Sequence, residues 1–354
     1  MRARRICAAV TLAFALQVMQ PAPSQARASR AWPEVLEARL SAGYDSNLLD
    51  ASDADRSAFA LRDPESFFVV NSMRDGFLEA GVAGEWRFPR LLAGRPSLRL
   101  GYQRRQYFDN PIKSSDDYTL DGTLRLAAAT RVDLGLEFQP QIYQRHRRDD
   151  NALPGEPEFR PEVLRRTDIS AGLTQRLRAG TSLKAGVRGS LRDTRAPFDA
   201  RDRRLFGGDV GIAQALPRGA RFGLSGGYAR TRSRNDPASP TDLSNREWTL
   251  SSWLEARSNR MATTLSLWFQ LGWRHYASSE PADGSHFGRV DNSTALELRL
   301  TRDLGGALAW VTRLAPQSRT ANIQVGSADD GAFSDAEIQS GIRWSHSLAK
   351  QAKP

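Results

Sequence analysis

His275 precedes Ser278 and Ser279 by a few residues, and a histidine beside a hydroxyl is the pairing that hydrolytic sites use to activate an oxygen nucleophile. A third group would have to orient the ring, and no Ser/His/Asp order or recognisable catalytic motif supplies one. His146, His286 and His346 fall at segment ends or in polar loops, where solvation alone accounts for them. Cys7 is the single cysteine and lies in the N-terminal leader described below, so no thiol, disulfide or Cys-bound metal is expected after it. Asp50, Asp53, Asp55 and Asp63 lack the ordered ligand spacing of a calcium loop. With no nucleotide-binding loop either, the expectation is a protein that works without catalysis, metal or cofactor.

The other chemically useful residues are charges set at every second position. Glu37, Arg39 and Asp45 form one such row, Glu79, Glu85 and Arg87 a second, and Asp121 with Arg125 and Asp133 with Glu137 two more. Lys184, Arg188, Arg192, Glu255, Arg257, Glu297 and Arg299 continue the pattern. Two readings stand side by side: the charges line a conduit and focus a field on its contents, or they form a cross-strand ion-pair network that holds the wall together. Both signs are interspersed, so the pattern does not imply strong ion selectivity.

A two-residue period requires strands. Leu78, Ala80, Val82, Gly84, Trp86 and Phe88 alternate with Glu79, Gly81, Ala83, Glu85 and Arg87. Val132, Leu134, Leu136 and Phe138 alternate with Asp133, Gly135, Glu137 and Gln139, and the odd positions of residues 261–273 are mostly apolar. One face suits hydrocarbon and the other a wet interior. Segments of this kind fall near residues 35–48, 77–88, 97–108, 118–129, 132–143, 166–177, 182–193, 204–216, 221–232, 246–257, 261–276, 289–302, 307–315 and 336–348. They amount to about 14 strands, with 12 to 16 compatible with the pattern. Long polar connections near 49–76, 109–117, 144–165, 194–203, 233–245, 277–288 and 316–335 alternate with tight turns. Barrels that cross an outer membrane place long loops outside and short turns in the periplasm. The predicted fold is therefore all-β, a closed antiparallel transmembrane barrel with both termini periplasmic. Phe88, Trp310 and Trp344 lie toward the short-turn end and Phe77, Tyr107, Phe108, Tyr118, Tyr143, Tyr228, Trp248 and Tyr276 toward the long-loop end, as two interfacial girdles would.

The leader agrees with export. Residues 1–5 carry three arginines, residues 6–19 are apolar, and Ala26-Arg27-Ala28 suits signal-peptidase cleavage. Domain organisation is then a signal peptide at 1–28, a short periplasmic segment at 29–34, the barrel at 35–348 and a tail at 349–354. Without the leader the formal charge falls from +10 to +6, through loss of Arg2, Arg4, Arg5 and Arg27. The remaining excess is scattered, which argues against nucleic acid.

The segment Gly43-Tyr44-Asp45-Ser46-Asn47 resembles one that closes the first strand in Gram-negative outer-membrane β-barrels of the porin type. In the strand alternation Tyr44 points outward, while Asp45 and Asn47 point inward near the mouth, Asn47 placed to cap the turn that follows. The resemblance implies an outer-membrane channel for small hydrophilic or saccharide-like solutes, with outer-membrane lipids, lipopolysaccharide and the barrel-assembly machinery as partners. A nonconducting barrel whose long loops bind a partner or polysaccharide is the alternative, and an outer-membrane hydrolase a weaker one. The chain departs from many such barrels in ending on a tail after Trp344 rather than on Phe or Trp.

Overall fold

In the computed structural model the described residues are 33–61, 69–92, 94–149, 152, 158–178, 180–234, 243–278, 286–322 and 332–347. The expected signal peptide and C-terminal tail, with Asp63 and Ser279, lie outside them. Fourteen strands follow one another: β1 (Val35–Asp45), β2 (Asp75–Arg87), β3 (Ser97–Tyr107), β4 (Ser115–Ala127), β5 (Thr130–Arg148), β6 (Phe159–Arg178) and β7 (Thr181–Thr194), then β8 (Arg203–Ala215), β9 (Arg221–Ser233), β10 (Asn245–Ser258), β11 (Thr263–Tyr276), β12 (Val290–Gly305), β13 (Leu308–Asn322) and β14 (Phe333–Ser347). Each pairs antiparallel with its sequence neighbours, and β1 pairs with β14 from Val35↔Ser347 to Asp45↔Glu337, so the sheet closes without an edge.

The alternation decides which face is which. Leu40, Val82, Leu134 and Val210 are 55–64% exposed on the outward face. Similar residues on every strand would make an apolar belt far larger than water tolerates, and hydrocarbon is the solvent that suits it. Every backbone amide in such a belt must be paired within the sheet, which closure achieves. The protein is a transmembrane β-barrel; no helix among the described residues is long and apolar enough to cross a membrane.

Several elements differ from expectation. β5 and β6 run to 19 and 20 residues, so the connection expected at 144–165 shrinks to residues 149–158. Pro140 sits where the β5–β6 register slips between Gln139 and Ile142, and the bulge absorbs a residue that cannot donate to the ladder. β13 continues through Pro316 instead of ending there: Pro316 stays in register with Ala336 of β14, while the ladder to β12 is interrupted between Gln317 and Leu314. The missing N–H thus costs only one side of the strand.

The first long connection contains a helix, α1 (Asp53–Leu61). Ser52 and Asp55 form a capping box: the Asp55 N–H donates to Ser52 Oγ (3.0 Å) and the Ser52 N–H to Asp55 Oδ2 (3.3 Å). The girdle is also smaller than expected. Phe108, Tyr118, Tyr228 and Trp248 are exposed outward, but Phe77, Tyr107 and Tyr143 are buried inside the barrel. Phe77 and Tyr107 share the inward parity of Glu79 and Arg105, and polar partners hold them there.

Candidate functional site

The inward faces of β1, β2, β3 and β14 meet in a layered stack. Phe77 lies across Gly43, its register partner on β1: a Cβ at Gly43 would come within 2.3 Å of Phe77 Cζ. The Arg105 guanidinium stands over the ring, 4.1 Å from its centroid. A cation on an aromatic face contributes about 0.5–2 kcal/mol when partly desolvated. Passing over Phe77 brings Arg105 past β2 and β1 to β14, where Nη1 donates to Glu337 Oε2 at 2.7 Å. The same guanidinium donates to Glu79 Oε2 at 2.9 and 3.1 Å. Glu337 also accepts from Arg313, whose Nε donates to Glu297 at 2.9 Å, and Gln339 donates to Glu79 and Ser41, both at 2.7 Å. Five strands are joined by one chain of charges, with every member paired.

Above this layer the first connection folds inward. Leu48, Leu49, Ala51 and Val70 pack with Phe77, Tyr107, Tyr143 and Val163 in one apolar cluster, with Phe59, Met73 and Ile112 against it. Polar ties pin it on both sides of the mouth. Arg56 Nη2 donates to the Ser334 carbonyl (2.6 Å) and Gln317 to Asp50 (3.4 Å), while Asp55 pairs with Arg145 of β5 at 3.8 Å. Val163 and Gln317 belong to β6 and β13, seven strands apart in a ring of fourteen, so the connection spans the mouth from wall to opposite wall.

The Gly43–Asn47 segment makes this possible residue by residue. Gly43 admits Phe77; Tyr44 faces outward; Asp45 accepts from the Tyr107 hydroxyl (3.1 Å) and the Asn47 N–H (2.9 Å). Ser46 Oγ bridges to β14 through Asp335 and the Ala336 N–H, at 3.0 and 2.8 Å. Asn47, 2% exposed, accepts from the Ala51 N–H (2.9 Å) and donates to the carbonyls of Ala51 (3.0 Å) and Ser334 (3.2 Å). Burial pushes the Asp50 carboxyl above its ordinary range, with Lys113 opposing, and lowers Lys113, with Asp50 and Asp45 opposing. Lys113 donates to the Tyr143 carbonyl at 3.0 Å.

The other sequence candidates are spread along the wall. Arg39 and Arg99 share Glu37, at 3.3 and 3.1 Å; Glu85 pairs with Arg87 at 2.8 Å; Asp133 accepts from Thr123 and Arg131 at 3.0 and 2.9 Å. Asp121 stands in register with Arg99, Arg125 packs under Gly94, and Glu137 accepts from Arg166. Arg257 reaches Asp303 at 4.0 Å, Glu297 holds Arg313, Glu255 is in register with Ser266 and Arg221, and Arg299 Nε is buried without a hydrogen-bond partner among the described residues. Arg105, Arg313 and Glu337 were not singled out in the sequence, although the alternation in 97–108 with Leu98 and Leu100 outward already gave Arg105 its side.

One stretch of wall is different. Lys184, Arg188 and Arg192 occupy the inward face of β7 four residues apart, and none of them makes an ion pair among the described residues. Arg192 is opposite Arg203 on β8 and Arg166 on β6. Lys184 Nζ lies 5.1 Å from the centroid of Trp253 on β10, and Trp253 lies across Gly223, where a Cβ would be 2.2 Å from its Nε1. Between these two side chains the inward positions are Gly211, Ala213, Gly223 and Ser225, a floor of small residues. Cations along a wet wall beside an indole face can hold an anion or stack a sugar ring in passing.

The hydrolase grouping does not assemble. His275 is exposed on the outward face opposite Arg246, whereas Ser278 Oγ is buried with no hydrogen-bond partner among the described residues. His146 Nδ1 is 2.8 Å from the Tyr143 hydroxyl and His346 stacks on Trp344.

No family model matches the chain, and no curated protein does. Among solved structures it is similar to the outer-membrane channel DcaP of Acinetobacter baumannii, at 9% identity and a TM-score of 0.47, over 90% of this chain and 99% of that one. It is also similar to a bacterial polysaccharide outer-membrane secretin, at 13% identity and a TM-score of 0.45 over 88% and 98% of the two chains. A third likeness is to OprD of Pseudomonas aeruginosa, at 13% identity and a TM-score of 0.42 over 92% and 98%. The barrel assignment stands on the strand register rather than on these likenesses.

Proposed function

We propose that this barrel is an outer-membrane conduit for passive passage of small hydrophilic or saccharide-like solutes, with both termini periplasmic and the α1 connection narrowing its outer mouth. The observation that carries the reading is the inward face of β7. Lys184, Arg188 and Arg192 form a row about 26 Å long, at the rise of an extended strand, and none of the three makes an ion pair among the described residues, although Asp209 of β8 stands opposite Gly186 between the first two and Asp168 and Glu247 face Arg192. A structural network would neutralise such charges, as it does around Arg105. Left unpaired and beside Trp253, they suit a solute that carries hydroxyls or carboxylates.

Planar-bilayer recording of the folded protein tests it. Reproducible unitary conductance is expected, with a reversal potential displaced toward the anion side and moved toward the cation side in Lys184→Gln/Arg188→Gln/Arg192→Gln. Absence of conductance from folded protein would overturn the conduit. The packing of Leu48, Leu49 and Val70 into the mouth favours the second reading, a closed barrel that binds a partner or polysaccharide on its loops, and a silent bilayer with intact loop-dependent binding would support that one.

A further inference from the structure

The outward face of β8–β11 carries an arrangement that neither the conduit nor the wall explains. Arg204 of β8 is in register with Arg232 of β9, and Arg230 of β9 with Arg246 of β10, which in turn faces His275 of β11. All five are exposed and share the outward parity of Phe206, Tyr228, Trp248 and Trp273. Like charges directly opposite one another in a sheet repel and are destabilising. Elsewhere on this surface Arg104 is neutralised by Asp116 of the neighbouring strand at 3.1 Å and Arg165 by Asp193 at 2.7 Å, while Arg302 of β12 faces Thr263 and Trp310 and has no like charge opposite it. On β8–β11 no outward position holds a carboxylate, and none of the four arginines has an ion pair among the described residues.

Their height on the barrel supplies the missing partner. One pair further into each strand lies the aromatic row Tyr228↔Trp248↔Trp273, with Tyr228 and Trp248 4.6 Å apart. Trp and Tyr settle at the headgroup level of a bilayer, and two residues toward the loops is about 7 Å further out, where lipid phosphates lie. Arginine forks grip phosphate oxygens through paired charge-assisted hydrogen bonds. We propose that Arg204, Arg230, Arg232 and Arg246, with His275 at the margin, bind the phosphate of a phosphorylated glycolipid in the leaflet on the long-loop side, the acyl chains lying against Trp248 and Trp273. The choice of leaflet rests on the orientation proposed above; the site itself does not.

Binding is measured in detergent micelles, where leaflet and orientation play no part, by native mass spectrometry with diphosphorylated lipid A, its dephosphorylated form and inorganic phosphate. Wild-type protein is expected to retain the diphosphorylated lipid, and Arg230→Gln/Arg246→Gln and Arg204→Gln/Arg232→Gln each to weaken retention at least about tenfold. Arg104→Gln, on the paired part of the surface, is expected to retain it fully. Folding of each variant is checked by resistance of the barrel to unfolding on an unheated gel. Equal retention by wild type and both double variants, equal binding of the dephosphorylated lipid, or binding of inorganic phosphate as tight as that of the lipid would each overturn the proposal. Protease access to the long loops on intact cells tests orientation separately, so failure of one is not failure of the other.

Discussion

Gly43 and Phe77 face each other across the β1–β2 pair, and the ring fills the space that any side chain at Gly43 would need. The ring is the platform on which Arg105 crosses to β14, so a single absent methyl group positions the whole charged layer. Gly43→Ala should therefore lower stability by about 1–3 kcal/mol, the usual cost of overpacking. Urea unfolding in lipid vesicles would measure it, and Gly43→Ala combined with Phe77→Ala should lose less than the two single changes added together. Strict additivity would mean that ring and glycine are not coupled.

Removing Arg105 leaves Glu79, 3% exposed, and Glu337 without their shared cation. Loss of one partner from a buried network costs about 3–5 kcal/mol, reduced here because the Arg105 side chain keeps 20% of its exposure. Arg105→Gln is expected to destabilise the barrel, and adding Glu337→Gln to recover part of the loss. An unchanged unfolding midpoint in Arg105→Gln would show that the network does not support the wall.

Asn47 holds the turn that sends the first connection inward. Asn47→Ala deletes the acceptor of the Ala51 N–H and the donor to the Ala51 carbonyl, and takes one of two donors from the Ser334 carbonyl, which keeps Arg56. About 1–3 kcal/mol per unsatisfied buried group is enough to undock the segment without unfolding the barrel. Amide exchange at Leu48 and Ala51 should accelerate while exchange in β2 and β3 stays slow, and conductance should rise.

The same connection should respond to acid. Burial holds the Asp50 pKa above its ordinary 3.8 when the segment is docked, so the docked form binds the proton more tightly than the released form. Docking consequently gains as pH falls through the raised pKa toward 3.8, and loses that gain as pH rises back through it. Lys113 has the opposite sign: its lowered pKa makes docking gain as pH rises toward 10.5. The protection factor at Leu48, which divides out the intrinsic pH dependence of amide exchange, should rise with acidification across this window in the wild type and lose most of that rise in Asp50→Asn.

The strands were legible because a wall between hydrocarbon and water forces a two-residue period on the sequence, and Leu78 against Glu79 shows it as clearly as any pair. The same parity put Phe77 and Tyr107 inside; grouping aromatic residues by height alone sent them to the girdle. Tyr143 shares the odd numbering of Asp133 and Glu137, so the same rule puts it inside too, even with a register shift between Gln139 and Ile142 on the way. α1 had a readable signal in Ser52 and Asp55, but its destination did not: the Arg56 carbonyl acceptor belongs to β14, hundreds of positions later. The Arg105–Glu337 pair was hidden for the same reason, because a period within a strand carries no information about which distant strand lies three places around the ring. The outward arginines of β8–β10 needed register, which turns three separate segments into opposed pairs.

The joint between β1 and β14 has one further consequence. It is the contact in the barrel that joins the start of the chain to its end, so it is the slowest to find by chain diffusion. Ser46, Asn47 and Arg56 all take partners on β14, and none of these ties can form before the final strand has been delivered. The mouth segment is thus a clasp over the seam: it fastens only a completed ring, and a chain that stops short of β14 leaves both the seam and the clasp undone.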